Sequence, residues 1–465
     1  MKNKCLVFGA GHYFEIYCSC IEEKYDILAL IDNNDKLYGK HKLGYCIISP
    51  NDIKKYNYNV IVICSIYAGE IQAQLFDMGF SEIIIFKDPG IFLRTGTSCI
   101  PMDVRFYEKP FKKRSDKIHI LFSQISPCPR TIRYADLLRK RNIDCSLAYF
   151  GILGNKNADK YFDQIIHFFS FGDFLDYVKE SEYDLIHCSN EPDILTCLAI
   201  GCDDKPIVHD CHDFLTLRGI PTAETMCLEL ISNSRSDGYI YPSKQCLQIA
   251  IEKYNVEESK AIYFENFPSR DAIPHTQLRK LSSIDNKIHC VYEGAITDDR
   301  DSYRFFEDQW QKLSSQGIHI HFYTRFQEEY CKHLESLSEN IHYEGNIDTN
   351  ELLTLMTQYD LGLCTYRELA KDKVKLDTGT ATKMYEYLAA GLPVALSNHM
   401  YHKPISEDNK IGKVLDWDGN IEAQLKSISE IQIPKDFVIN NGFTMEDMAD
   451  RLIKFYKEII LEGKK

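Results

Sequence analysis

The chain is predicted to be an α/β protein built from three doubly wound parallel-sheet units in tandem. Three observations carry this. Short apolar runs of strand length recur with room for a helix between them. The intervening segments place apolar residues at helical spacing, as Ile71, Leu75 and Met78 do within IYAGEIQAQLFDMG. The 465 residues also suit about three domains at ~100–200 residues each.

The first unit opens as strand, glycine turn, helix and strand: CLVFGAG at 5–11, YFEIYCSCIEE, then ILALID at 27–32. VIVICS (60–65) and EIIIF (82–86) continue the alternation and place a Rossmann-like domain at 1–95. Gly9 and Gly11 form a Gly-x-Gly pair, with Phe14 where a third glycine would complete a dinucleotide fingerprint. Asp32 ends the second strand where a ribose-binding acid would lie. A nucleotide site at Gly9, Gly11 and Asp32 is one reading of this domain, and a structural or docking domain is the other. The stretch 87–117, with Pro89, Gly90, Pro101 and Pro110 and the basic Lys109, Lys112, Lys113 and Arg114, reads as a solvated connector, and the linker proper is assigned to 96–117.

The second unit, 118–280, begins at IHILFS, passes through the loop QISPCPR into a helix across TIRYADLLRKRN, and continues with the strands CSLAYF, YDLIHCS, PIVHDCHD and SDGYIYPS. The third, 285–445, contains IHCVYEG, IHIHFYT, NIHYEG, YDLGLCTY and LPVALS. Residues 446–465 read as a terminal helix with a charged tail.

Composition narrows function. With 54 basic and 68 acidic residues the net charge is −14, which argues against a broad nucleic-acid footprint. No apolar run approaches the ~18–20 residues of a membrane-spanning helix. After Lys2 and Lys4 the apolar stretch Cys5–Ala10 meets Gly11 and His12, too short for the core of a secretion signal, so a cytoplasmic location is expected. The 17 cysteines lack any Cys-x-x-Cys pair and many lie in apolar runs, which reads as buried reduced thiols rather than a disulfide framework or zinc site.

Two doubly wound lobes in tandem leave a cleft at the carboxyl ends of their strands, where ligands of such sheets bind. TGTATKMYEYLAAGLPVALSN, Thr378 to Asn398, sets a Gly- and Thr-rich loop before a helix that leads into a buried strand. The unpaired N–H groups at such a helix start suit a diphosphate. Lys383 adds charge there, and Glu386 can accept hydrogen bonds from a ribose diol.

This segment resembles the donor-binding signature of glycosyltransferases with the GT-B fold, specifically the large retaining family 4, whose motif ends in a phrase like K-x-x-E-Y-L-A-A-G-x-P-V. SNEPD, PIVHDCHD, CLELISNSRSDGYIYPSKQ, YFENFP, VYEGAITDDR and IHYEGNIDTNELLTLMTQYDLGL follow the order that family implies. The resemblance covers about 118–460. The fold it implies is an N-terminal Rossmann-like domain followed by the two Rossmann-like lobes of a GT-B enzyme, acceptor side first and donor side second.

By that resemblance Glu386 is the second acid of a Glu-x7-Glu pair, and the first is replaced by Thr378, with Asp377 adjacent. Ala295 follows Gly294 where the family often has an arginine, and Arg300 takes the approximate place of a lysine. Arg300 and Lys383 are therefore expected on the diphosphate, because a departing diphosphate needs fixed positive charge. His212 corresponds to a histidine that contacts the donor sugar; the alternative is a polar strand end that caps the next helix. Arg130 and Arg133 match the first acceptor-side loop, or else form a solvated helix start. A metal at His209 and His212 is not expected, because no Glu lies between them in a His-Glu-x-x-His pattern.

The function so implied is transfer of a sugar, with retention, from a nucleoside-diphosphate sugar to a glycan or lipid-linked glycan in bacterial surface polysaccharide assembly. It requires no cofactor or metal and takes place in the cytoplasm, open to peripheral association with the inner membrane face. Two competing readings are a nucleotide-sugar modifying oxidoreductase centred on the first domain and a non-catalytic sugar-nucleotide binder. The run IDNNDKLYGKHKLGYCIISPNDI in that domain resembles Rossmann-like domains fused to sugar-modifying and polysaccharide-building enzymes.

Overall fold

The computed structural model describes residues 2–65, 67–87, 91–95, 102–103, 110–113, 116–151, 153, 158–168, 171–190, 192–202, 205–217, 221–324, 327–347, 349–399, 401 and 410–463. Pro89, Gly90, Pro101, Lys109, Arg114 and the glutamate of SNEPD, Glu191, lie outside them. The chain forms two compact units, Met1–His209 and Asp210–Lys465.

The first unit contains an eight-stranded sheet. Its strands are β1 (Asn3–Phe8), β2 (Tyr25–Ile31), β3 (His41–Lys42), β4 (Tyr45–Ile48), β5 (Val60–Ile63), β6 (Ile83–Lys87), β7 (Ile91–Thr95) and β8 (Met102–Asp103). They are ordered β3-β4-β2-β1-β5-β6-β7-β8. The central strands are parallel and buried on both faces, which is why they read as unbroken apolar runs. Met102 and Asp103, within the span assigned to the linker, pair antiparallel with β7 and extend the sheet. A two-residue strand amid prolines and glycines has no period for a sequence to display.

The same unit carries parallel strands β9 (His119–Gln124), β10 (Asp144–Tyr149), β11 (Gln164–His167), β12 (Leu185–Ser189) and β13 (Ile207–Asp210), ordered β11-β10-β9-β12-β13; the boundary between units falls within β13. The end of the basic connector is docked on this sheet. Phe111 stacks on Tyr183 with centroids 4.5 Å apart and rings 8° from parallel, and Lys113 Nζ lies 2.6 Å from Asp184 Oδ2. The first helix, His12–Lys24, also meets it: the Cys20 thiol faces the Gly151 carbonyl at 3.5 Å and Glu23 meets His167 at 2.6 Å.

In the second unit β14 (Gly238–Tyr241) and β15 (Ala261–Tyr263) pair in parallel. A six-stranded sheet follows, built from β16 (His289–Glu293), β17 (His319–Tyr323), β18 (Ile341–Tyr343), β19 (Leu361–Cys364), β20 (Val394–Leu396) and β21 (Gly412–Val414). All neighbours are parallel in the order β18-β17-β16-β19-β20-β21. The order reverses between β16 and β19, and a crevice opens beyond the carboxyl ends of strands at such a switch. The last helix, Ala449–Glu462, buries Leu452, Phe455, Tyr456, Ile459 and Ile460. It packs so closely on Gly238 that a Cβ there would lie 2.8 Å from Phe455 and 2.9 Å from Ile459. Among the described residues no helix is long and apolar enough to cross a membrane, and the described cysteines are free thiols.

Candidate functional site

The switch point is occupied by the segment after β16 and by the helix Thr382–Ala389 that leads to β20. Gly362, in β19, lets that helix approach the sheet. A Cβ at this position would fall 2.1 to 2.7 Å from the Tyr387 ring, so only glycine admits the buried tyrosine. Tyr387 in turn accepts the Glu293 N–H at 3.0 Å, joining the helix to the last residue of β16.

This packing sets Lys383 into the crevice. Its ammonium stands 3.8 Å above the Tyr292 ring and 5.1 Å from that of Tyr366, both buried. Gly294 turns the chain away from β16 at φ +119°, and a Cβ there would lie 3.2 Å from Lys383 Nζ. The Tyr292 hydroxyl donates to the Ala295 carbonyl at 2.9 Å and holds the turn. Burial pulls the Lys383 ammonium down to about 8, only partly offset by the attraction of Glu293 and Glu386. A cation kept in such a place has room to gain by meeting an anion.

Arg304 is the second cation of this crevice. It lies within electrostatic reach of Lys383, Tyr292, Tyr366 and Asp213, and its guanidinium is 5.1 Å from the Tyr303 ring. Arg300, the residue expected on the diphosphate, lies four positions before it. Both arginines are exposed; the Arg300 guanidinium is 5.7 Å from the Phe305 ring, and the Arg300 carbonyl accepts from Arg367. Both arginines follow the same glycine turn, so spacing alone could not separate them.

The loop before the helix is anchored from the β14 side. Ser243 Oγ donates to the Thr378 carbonyl at 2.6 Å while accepting the Cys246 N–H at 2.9 Å, and Asn266 Nδ2 donates to Thr382 Oγ1 at 2.8 Å. Thr378 Oγ1 donates back to the Val374 carbonyl at 2.8 Å, and Asp377 pairs with Lys373 at 2.7 Å. Glu386 is buried one helical turn beyond Lys383. His212 is held by Asp210, Nε2 to Oδ2 at 3.0 Å, one residue before Asp213.

The other expected residues lie in the first unit. Arg130 is buried with its guanidinium 5.0 Å from the Tyr134 ring, and Arg133 is half-buried on the same helix, Pro129–Arg139. Gly9 has φ +119°, and a Cβ there would meet the Cys64 carbonyl at 2.3 Å, so this glycine is required by strand packing. Gly11 faces open space. Asp32 accepts the Ala10 N–H at 3.0 Å through one oxygen and the Asn34 N–H at 2.9 Å through the other, which makes it a clasp on the glycine turn.

Residues 1–86 match the family model described as C2185-like, N-terminal, and residues 303–437 match that described as Glucosyltransferase 3-like, C-terminal domain. No curated protein matches the chain. Among solved structures, it is similar to a glycosyltransferase from Rickettsia africae ESF-5, at 15% identity and a TM-score of 0.55 over 74% of this chain and 99% of that one. It is also similar to Anabaena Alr3699/HepE in complex with UDP-glucose, at 13% identity and a TM-score of 0.52 over 74% and 98%. At these identities the likeness is one of fold, and the fold is that of the GT-B glycosyltransferases, mixed α/β with parallel sheets.

Proposed function

We propose that this protein is a glycosyltransferase that takes a sugar from a nucleoside-diphosphate sugar. The observation that carries the reading is the buried ammonium of Lys383 beside Arg304, at the switch point of the C-terminal sheet and the start of a helix. A diphosphate meets two cations and a helix N-terminus there, and the negative charge that develops on the leaving group is matched in advance. Arrival of the anion also favours the protonated form of Lys383, so binding and charge stabilisation are one event. The complex of Anabaena Alr3699/HepE with UDP-glucose supports a donor of this class.

In this scheme Glu386 receives the ribose diol, and His212, Asp377 or Thr378 stand toward the sugar. Arg300 lies at the outer margin of the phosphates. Arg130 and Arg133 belong to the acceptor side. The family 4 resemblance supports retention, with the leaving phosphate guiding the incoming hydroxyl to the same face, without a metal in the transfer step. It also supports a glycan or lipid-linked glycan acceptor in bacterial surface polysaccharide assembly, inside the cell and at the membrane face. The division of labour follows: 118–280 for the acceptor, 285–445 for the donor, closed by 446–465, with 1–95 and the linker 96–117 outside the chemistry. The clasp formed by Asp32 favours a structural role for the first domain over a ribose site.

The test is a thermal-shift panel of nucleoside diphosphates followed by donor hydrolysis with the bound base. Ligand at 100 times its Kd stabilises the folded protein by about 2.7 kcal/mol. A panel in which no nucleoside diphosphate moves the midpoint, with no donor turnover, rejects the reading.

A further inference from the structure

The C-terminal sheet carries four histidines in matched register. Parallel pairing sets His289 of β16 opposite His319 of β17, and His321 of β17 opposite His342 of β18. Paired residues, and residues two apart on a strand, share a face, so the four imidazoles stand together on one face. His289 is the first residue of β16, and Gly294 follows its last, which separates the array from the donor crevice by about 16 Å.

The hydrogen bonding of two of these rings is incomplete by one cation. His289 Nδ1 lies 2.9 Å from His321 Nε2. The other nitrogen of each ring faces a carboxylate: His289 Nε2 is 3.1 Å from Asp285 Oδ2, and His321 Nδ1 is 2.7 Å from Glu344 Oε1. A carboxylate can only accept, so each outer nitrogen carries the ring hydrogen. The inner nitrogens are then two lone pairs facing one another at 2.9 Å, which repel unless a positive charge lies between them.

An extra proton is one such charge, and a metal ion held by imidazole nitrogens is another. His319 supplies a third nitrogen. Its Nδ1 pairs with His342 Nε2 at 2.9 Å, while its buried Nε2 makes no hydrogen bond and lies 3.8 Å from Asp285 Oδ2. One nitrogen from each of His289, His319 and His321 lies within 4.8 Å of the others.

We propose that His289, His319 and His321 bind a divalent transition-metal ion of the zinc class. Imidazole nitrogens bind zinc at about 2.0–2.1 Å in tetrahedral geometry, so the inner pair opens slightly. The His319 ring, now stacked on His289 at 4.4 Å, turns out of parallel to reach the ion. Asp285 and Glu344 hold the two outer ring hydrogens and so present the inner lone pairs, the arrangement that orients metal-binding histidines. The exposed side chain of Asp285 marks the route of entry. Such an ion would pin the starts of β16 and β17 together and take no part in sugar transfer, so this inference stands or falls independently of the proposed activity.

The experiment is a titration of the chelator-treated, desalted full chain with Co2+. The expected result is saturation at one equivalent with visible bands of a nitrogen-coordinated ion, displaced by Zn2+, and a thermal midpoint that Zn2+ raises. His289→Gln and His321→Gln abolish the bands, whereas His342→Gln, which touches the same array without supplying a ligand, keeps them. Absence of saturable bands in the wild type overturns the proposal whatever the variants do. So do bands that persist in both ligand variants, or a midpoint that responds to pH but to neither metal, which would assign the central charge to a proton.

Discussion

Replacing Lys383 with methionine removes the charge while keeping most of the side chain's length in a buried site. Burial lowers this lysine from an ordinary 10.5 to about 8, which corresponds to a cost of about 3 kcal/mol for holding it protonated in the empty protein. Below pH 8 the folded and unfolded chains both carry the proton, so the penalty is present in full. Between about 8 and 10.5 the folded protein has released it and the unfolded chain has not, so wild-type stability rises relative to Lys383→Met by about 1.4 kcal/mol per pH unit. At pH 7 without ligand, Lys383→Met is therefore the more stable protein, by up to about 3 kcal/mol, and the two converge as pH rises through 9 to 10. Nucleotide binding runs the other way. Calorimetry at pH 7 should show the variant's affinity for a nucleoside diphosphate reduced by at least tenfold, and wild-type affinity falling as pH rises above 8. Thermal midpoints of both proteins across this range, with and without nucleotide, supply the measurement. Equal stability at pH 7 with no convergence would show that the ammonium is not held at a cost. Undiminished nucleotide affinity would remove Lys383 from the phosphate site.

Arg304→Ala should lower kcat/KM for donor hydrolysis by roughly 2–4 kcal/mol of transition-state stabilisation, and Arg300→Ala by less, because Arg304 is the one within electrostatic reach of Lys383; the reverse order, measured by initial rates, would make Arg300 the principal phosphate ligand. Gly362→Ala forces a Cβ into the Tyr387 ring and should cost about 1–3 kcal/mol through overpacking, with nucleotide affinity lost as the helix bearing Lys383 moves; a variant with wild-type melting and binding would refute that packing argument. A chain beginning at Pro110 should keep nucleotide binding, whereas one beginning at Asp116 loses the Phe111 stack on Tyr183, worth about 0.5–1.5 kcal/mol beyond its buried area, and should melt earlier. Loss of binding in a soluble, folded chain from Pro110 would move the donor site into the first domain.

The α/β class was legible in the sequence because buried parallel strands show as unbroken apolar runs, and the runs at 60–65, 118–123 and 288–294 all coincide with strands. Lys383 and Glu386 were singled out by a helix after a Gly- and Thr-rich loop together with its resemblance to the K-x-x-E phrase of the family signature. Three short edge strands, β8, β15 and β21, were not legible, because each is two or three residues long and shows no periodicity, whereas β18, equally short, was marked by the phrase NIHYEG around it.

What tertiary structure alone decided is which charges meet. Arg300 and Arg304 are four residues apart in one loop, and only the turn after Gly294 and the approach of the 382–389 helix bring Arg304 to Lys383. Asp32 sits where a ribose acid would lie, and its two oxygens accept the backbone N–H groups of Ala10 in the glycine turn and of Asn34. The histidines at 289, 319, 321 and 342 are scattered along the chain, and strand register gathers them on one face. Sequence records local periodicity and local chemistry, because those follow from neighbours along the chain. Electrostatic pairing falls off over a few ångströms in space, so it depends on the packing that folding creates.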